Sequence, residues 1–376
     1  MPALPPIVCI SHLTWERTLF QRPQQIMSRL AARGHDVFYL SKISSRRWLG
    51  QTLRGRRDLN RGREGRLLFR NSPWIPLANR IGVIHALDEW TTRRAIRRWL
   101  GERAQDAILW LYHPSFISHI GRLPRRHLVY DVMDHFRAFK QSKSGVVNQE
   151  DLLLEQADIV FTGGRAMHGP IAERRSDAHC FPSGIDLDHF GAAREESTRI
   201  PSEIRDLSRP VLGYFGAIDE RLDFDLIREV CCAHPTWTVV FLGPIIPGTE
   251  IAIEEPNFVW LGPKPYAELP AFVKGFDVCI MPWAKTELTA HLSPTKTPEY
   301  LAGGKPVVSV RIRDVERDYG DVVLFGDTPE EFAAAVERAL TMRGRDWARA
   351  LEGREAARTW DQIVEEMMGI IESTTS

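Results

Sequence analysis

The chain has little of what marks an exported, membrane-spanning or metal-stapled protein. Its five cysteines (Cys9, Cys180, Cys231, Cys232, Cys279) form no CxxC pair and no even framework, which excludes a disulfide scaffold or zinc module and fits a reduced cytoplasm. No run approaches the roughly 18 uncharged apolar residues of a membrane span, so an integral membrane protein is not expected. The first residues, Met1 to Pro6 followed by Ile7-Val8-Cys9-Ile10, lack the basic and apolar regions of a secretion signal. HExxH, GxxxxGK[ST] and GxGxxG are absent too, which argues against hydrolase, kinase and dehydrogenase readings, and no metal-ligand spacing occurs.

The 376 residues, 43% hydrophobic and 26% charged, have the size of two soluble domains. The formal charge of zero hides a polarity. Residues 1–100 carry +13 (19 Lys and Arg against 6 Asp and Glu), residues 101–200 carry −2, and residues 201–376 carry −11. A basic first half suits an anionic partner, or else the two halves attract each other. The segment from Ser44 to Arg66 concentrates eight arginines against Asp58 and Glu64, and two readings stay open: a solvated mobile loop or a docking patch for an anionic surface. Nucleic acid is not expected as a partner, because no stacking aromatics interleave with these arginines.

Two similar rhythms of strand and helix follow one another. In the first, Ile7–Ser11 is a short buried strand, Pro23 opens a helical pattern that Gly34 stops, and His35–Leu40 is the next strand. Further strands are expected at 67–70, 107–112, 127–132 and 159–162, with helices at 91–103 and 149–156. After a strand-poor stretch, 191–209, the second rhythm gives strands at 211–216, 238–242, 258–261, 278–282 and 306–310 and a helix at 225–233. This is the α/β pattern of two doubly wound Rossmann-like domains, whose ligands sit beyond the carboxyl ends of the strands.

The run Ser293-Pro294-Thr295-Lys296-Thr297-Pro298-Glu299-Tyr300-Leu301-Ala302-Gly303-Gly304-Lys305-Pro306-Val307-Val308 carries the most chemistry. Thr297 is expected to cap a helix with Pro298 at its first position, ended by Gly303 or Gly304. Lys296 beside that helix start suits a phosphate, and Glu299 one turn on suits the vicinal diol of a ribose, the pairing a nucleoside diphosphate needs. A helix-capping Glu beside a surface Lys gives the same pattern.

This run resembles the donor segment of GT-B glycosyltransferases, in particular the glycosyltransferase 4-like (group 1) family. Gly213-Tyr214-Phe215-Gly216, Phe241-Leu242-Gly243-Pro244 and Phe276-Asp277-Val278-Cys279-Ile280-Met281-Pro282 resemble the strand ends of its donor domain. Gln21-Arg22-Pro23-Gln24-Gln25, Arg33-Gly34-His35-Asp36-Val37 and Phe181-Pro182-Ser183-Gly184-Ile185-Asp186 resemble its acceptor domain and interdomain segment. The resemblance implies a GT-B architecture of two domains facing a central cleft: an acceptor domain over 1–190, a donor domain over 205–354, and a C-terminal segment, 355–376, crossing back to the first domain with Trp360 as its anchor. It departs in two places. His291 stands eight residues before Glu299, where the family usually has an acid, and Ala217-Ile218-Asp219-Glu220-Arg221 follows Gly216, where the family has Arg and then Lys.

The resemblance implies donor-binding roles for Gly216, Arg221, Gly243, Lys264, His291, Ser293, Thr295, Lys296, Thr297 and Glu299, with no bound metal and no cofactor beyond a UDP- or GDP-type sugar as co-substrate. In the first domain Asp134 and His113 follow apolar strands and are the catalytic candidates; His12, Trp15 (as a sugar-stacking platform), Asp131 and His135 are acceptor-side candidates. The function implied is transfer of a sugar, with retention, to a sugar or lipid-linked acceptor hydroxyl in cell-surface polysaccharide or glycolipid synthesis. The place expected is the cytoplasm, peripheral at the inner membrane face, with the basic domain meeting anionic lipid. A sugar-nucleotide epimerase and a non-catalytic sugar-nucleotide-binding scaffold are the competing readings.

Overall fold

The computed structural model describes residues 4–15, 20–55, 60–75, 81–136, 144–290, 292, 295–342 and 344–374. The chain divides into two compact units, one built from the N-terminal strand, Phe20–Phe181 and the segment from Trp360 onward, the other from Pro182–Thr359. Among the described residues no helix is long and apolar enough to cross a membrane.

The first unit holds an eight-stranded sheet made, in chain order, of β1 (Ile7–Ser11), β2 (Val37–Ile43), β3 (Arg61–Glu64), β4 (Leu67–Pro73), β5 (Ile108–Leu111), β6 (His127–Val132), β7 (Ile159–Thr162) and β8 (His179–Cys180). The spatial order is β3-β4-β2-β1-β5-β6-β7-β8, parallel throughout except for the antiparallel edge strand β3. Alternation along β1 explains why both faces must be covered. Ile7 and Cys9 join a core with Trp360, Ile363 and Met367 from the helix Trp360–Ser373, whereas Val8 and Ile10 join one with Ile96, Leu100 and Leu153 from helices on the opposite face. The C-terminal helix packs on the helix Arg22–Ala32, where Arg29 Nε donates to Asp361 at 3.0 Å. Trp360, fully buried, seats that helix at its first turn.

The arginine-rich segment is not a loop over its described residues. Ser44 caps a helix, Ser45–Leu53, by accepting from the Arg47 N–H at 3.3 Å, and β3 then pairs with β4. Its alternation of Arg with Gly and Glu gave no apolar face to read. A solvated edge strand needs none.

The second unit contains β9 (Val211–Phe215), β10 (Thr238–Leu242), β11 (Phe258–Trp260), β12 (Val278–Met281), β13 (Val307–Ser309) and β14 (Leu324–Phe325). They form a parallel sheet in the order β11-β10-β9-β12-β13-β14 around one core. In each sheet the chain first builds outward in one direction and then returns to build in the other. The reversal falls between β1 and β5 in the first sheet and between β9 and β12 in the second, and at such a point the loops beyond two adjacent strands diverge and leave a crevice for a ligand.

Candidate functional site

At the second switch point, β9 runs into Gly216 (φ 147°) and β10 into Gly243 (φ 144°), both left-handed. A Cβ on Gly243 would lie 1.8 Å from the Gly216 carbonyl oxygen, and a Cβ on Gly216 would lie 2.5 Å from Lys296 Cε, so only glycine lets these turns and that lysine share the space. Their own N–H groups are taken: Gly216 donates to Leu242 O at 2.8 Å and Gly243 to Gly262 O at 2.9 Å. Charge at this crevice therefore comes from side chains.

Lys296 supplies it. Its Nζ lies 5.4 Å from the ring centres of both Tyr214 and Trp283, and among the described residues no carboxylate comes within ion-pair distance of it. Burial pushes Lys296 down to about 8, with the Glu299 charge opposing the fall. Glu299, 6% exposed, is pushed up to about 8 by burial, opposed by the Lys296 charge and a hydrogen bond from Thr295 and reinforced by the nearby Asp186 carboxylate. Both groups sit on the helix Lys296–Ala302, which Tyr300 ties to β9 by accepting the Phe215 N–H at 3.1 Å. Arg221 lies within electrostatic reach of Lys296, its guanidinium forked onto Asp219 with Nε···Oδ1 2.9 Å and Nη2···Oδ2 2.6 Å.

Three sequence readings change here. The helix starts at Lys296 with Thr295 at its cap position, so Thr297 does not cap it; the Thr297 hydroxyl is buried against Met281 Sδ at 3.5 Å. With only seven residues the helix carries little dipole, and Lys296 is the main cation at this end. Lys264 is committed elsewhere, paired with Glu203 at 2.6 Å over the Phe272 ring. His291 and Ser293 lie outside the described residues. Sequence reasoning missed Asp219 as the fork for Arg221 and the aromatic walls Tyr214 and Trp283; the latter lie at the ends of two adjacent strands, β9 and β12.

At the first switch point, His12 follows β1 and His113 follows β5, with ring centres 5.3 Å apart, and Phe136 packs on both. Asp134, in the loop after β6, brings a carboxylate oxygen 3.8 Å from His12 Nε2. His113 Nδ1 accepts from the Ser115 N–H at 3.1 Å, which leaves the proton of the neutral ring on Nε2. His113 is thus set as a donor rather than a base. Burial holds it at about 4, and burial with the neighbouring His113 holds His12 at about 3, so both are neutral near pH 7. His135 is half-buried beside Asp134.

Two acceptor-side expectations are corrected. Trp15 is 5% exposed, packed against Phe69, Tyr39 and Phe20, and has no face to offer a sugar. Asp131 is fully buried in an ion pair with Arg22 (Oδ1 2.9 Å), whose other nitrogen donates to Phe181 O, so its carboxylate organises the interior. Neither side chain advertises this in sequence: Asp131 lies within β6, where inward and outward positions alternate, and Trp15 lies in the loop past β1.

Two doubly wound sheets, each with polar side chains gathered at its switch point, make the GT-B fold, and the proteins the chain resembles indicate a nucleotide-sugar-dependent glycosyltransferase. Residues 209–342, which span the whole of the second sheet, match the family Glycosyl transferases group 1. It is 26% identical over 314 residues, 78% of this chain and 77% of the other, to TuaH of Bacillus subtilis (strain 168), a glycosyltransferase named for teichuronic acid biosynthesis. Its fold is that of sucrose-phosphate synthase from Thermosynechococcus elongatus (TM-score 0.70, 14% identity, 98% of each chain covered). Anabaena HepE in complex with UDP and glucose is also similar (TM-score 0.67, 12% identity, 98% and 99% covered).

Proposed function

We propose that this enzyme transfers a sugar from a uridine diphosphate donor to an acceptor hydroxyl, without a metal and with retention, in the synthesis of a cell-surface polysaccharide at the cytoplasmic face of the membrane. One observation carries the reading: Lys296, walled by two aromatic rings, points at the glycine turns of the second switch point, with Glu299 one helical turn beyond. A diphosphate leaving group develops negative charge as the glycosidic bond breaks. A half-buried ammonium that no carboxylate among the described residues pairs with is placed to take that charge, with Arg221 adding to the field. These fixed cations are the reason to expect no metal requirement. Glu299 then accepts from the ribose diol, and losing its proton on binding restores a carboxylate beside Lys296. At the first switch point His113 donates from Nε2 to a hydroxyl of the transferred sugar, while Asp134 with His12 serves the acceptor proton. The uridine choice is supported by the HepE complex with UDP and glucose, and the polysaccharide role by the likeness to TuaH.

The test is a thermal-shift panel of nucleoside diphosphates and their sugar conjugates on the wild type and Glu299→Ala. Stabilisation by uridine diphosphate sugars, lost in the variant, supports the reading. Equal stabilisation of both proteins removes Glu299 from the site, and stabilisation by guanosine or adenosine diphosphates alone overturns the base assignment. Transfer assays with and without a chelator then decide the metal question.

A further inference from the structure

The first unit carries an outward face that its own fold does not use. The helix Gly82–Leu100 is pinned from behind by Asp88, fully buried, which accepts from Lys42 Nζ at 2.9 Å and pairs with His119 Nε2 at 3.0 Å. Ile96 and Leu100 fill the core on the same side. On the opposite face Val83, Leu87 and Trp90, spaced i, i+4, i+7, are 81%, 49% and 54% exposed. Farther along that helix come Arg94, Arg97 and Arg98, which together with Trp90 and Arg93 line a hollow of about 520 Å³. Arg94 lies over the Trp90 ring at 5.5 Å, and among the described residues no carboxylate pairs with Arg94, Arg97 or Arg98. The helix's other exposed-side acid, Glu89, is already shared by Arg93 and His85.

The neighbouring helix Ser45–Leu53 repeats the arrangement on a smaller scale, with Leu49 and Leu53 exposed one turn apart among Arg46, Arg47 and Arg54. The two helices are held at the same end of the sheet. Ser45 Oγ donates to the Trp74 carbonyl, and Asp88 accepts from the N–H of the next residue, Ile75, at 3.4 Å.

We propose that the outer face of Gly82–Leu100 is the surface by which this protein docks on an anionic lipid bilayer, Val83, Leu87 and Trp90 entering the headgroup boundary while Arg94, Arg97 and Arg98 contact lipid phosphates. This rests on, and localises, the membrane-face reading given above. The pattern selects the occupant. A soluble polyanion would satisfy the arginines but leave the apolar stripe in water, and a second copy packed face to face would bring them no carboxylate that is free among the described residues. A bilayer interface alone accepts both, the apolar side chains by burial and the cations by the negative surface potential.

The experiment is co-sedimentation of the full chain with vesicles of pure phosphatidylcholine and of phosphatidylcholine with phosphatidylglycerol, at 50 and 500 mM salt. Wild type is compared with Arg94→Ala/Arg97→Ala/Arg98→Ala, with Leu87→Ser/Trp90→Ser and with a control, Arg205→Ala/Arg228→Ala, in the acidic second unit. Circular dichroism checks that each is folded. Three arginines near the surface predict a loss of roughly 100-fold in partition to the anionic vesicles. The apolar pair is expected to lower binding at both salt concentrations, and Trp90 fluorescence is expected to shift to the blue on vesicles but not with a soluble polyphosphate. If the wild type binds anionic vesicles and the helix variants bind equally well, this face is wrong while the membrane reading stands. Absence of wild-type binding in all conditions overturns both, and binding to polyphosphate with no Trp90 shift on vesicles replaces the bilayer by a polyanion.

Discussion

At the second switch point the polar groups are an ammonium and a carboxyl that burial pushes toward their neutral forms, mounted one turn apart on a single helix, whereas at the first they are neutral imidazoles and a carboxylate arriving from three separate strand ends. The same topological device therefore does two different electrical jobs. The Lys296–Glu299 pair carries an unfavourable burial, which on the proposed reading an anionic ligand relieves. The His12–His113–Asp134 group stays uncharged at its rings and offers direction instead of field: a donor at His113 Nε2, fixed by Ser115, and an acceptor at Asp134. On the proposed reading, the difference suits one site to holding a leaving group and the other to orienting a hydroxyl.

The largest effect expected from breaking this comparison is at Lys296. Lys296→Met keeps the apolar stem between Tyr214 and Trp283 but removes the charge. Steady-state transfer should fall by about 10³-fold, mostly in kcat, because the charge is worth most where the diphosphate departs. An unchanged kcat would mean that the leaving group is stabilised elsewhere.

A smaller effect, and a sharper one, separates donor from base at His113. His113→Ala should cost about 10²-fold in kcat. His113→Gln retains an N–H donor near the Nε2 position and should recover much of that loss. Were His113 the base, glutamine would be as poor as alanine. Because both rings are held well below their ordinary value by burial, kcat/KM should also show no break near 6.5 attributable to either histidine, and any slope between pH 6 and 7.5 should follow the proton that Glu299 loses on binding.

How far the sequence reached follows the same division. Strands β1, β6, β7 and β10 are legible to the residue, since each is built on a short run of apolar residues. The edge strands β3, β8 and β14 are not, because an edge with one partner needs neither length nor hydrophobicity. Lys296, Glu299 and the glycine turns are readable because the chemistry lies within one local segment and on two strand ends of fixed spacing. Asp131 misleads because only the sheet register decides which way a residue of β6 faces, and Trp15 because the loop past β1 folds it back onto Tyr39 and Phe69. Arg22, the partner that buries Asp131, is 109 residues away.

The smallest effect is a pH dependence of stability that isolates Glu299. In the unfolded chain this carboxyl loses its proton near pH 4.5, but the folded site holds it up to about 8. Through that window the unfolded state binds fewer protons than the folded one, so rising pH weakens the wild-type fold, by at most about 1.4 kcal/mol per pH unit for a single group. Glu299→Gln keeps the shape and does not titrate. Its melting temperature relative to wild type should therefore climb from pH 5 to 6.5, a range in which Lys296, at about 8, stays protonated in the wild type. For a chain of this length the climb amounts to a few degrees. Saturating nucleotide should reverse the order of the two melting temperatures, since the ligand stabilises only the protein whose carboxylate grips the ribose. A difference that stays constant across pH would show that Glu299 is already ionised in the empty site, and the strain attributed to the second switch point would then reside in Lys296 alone.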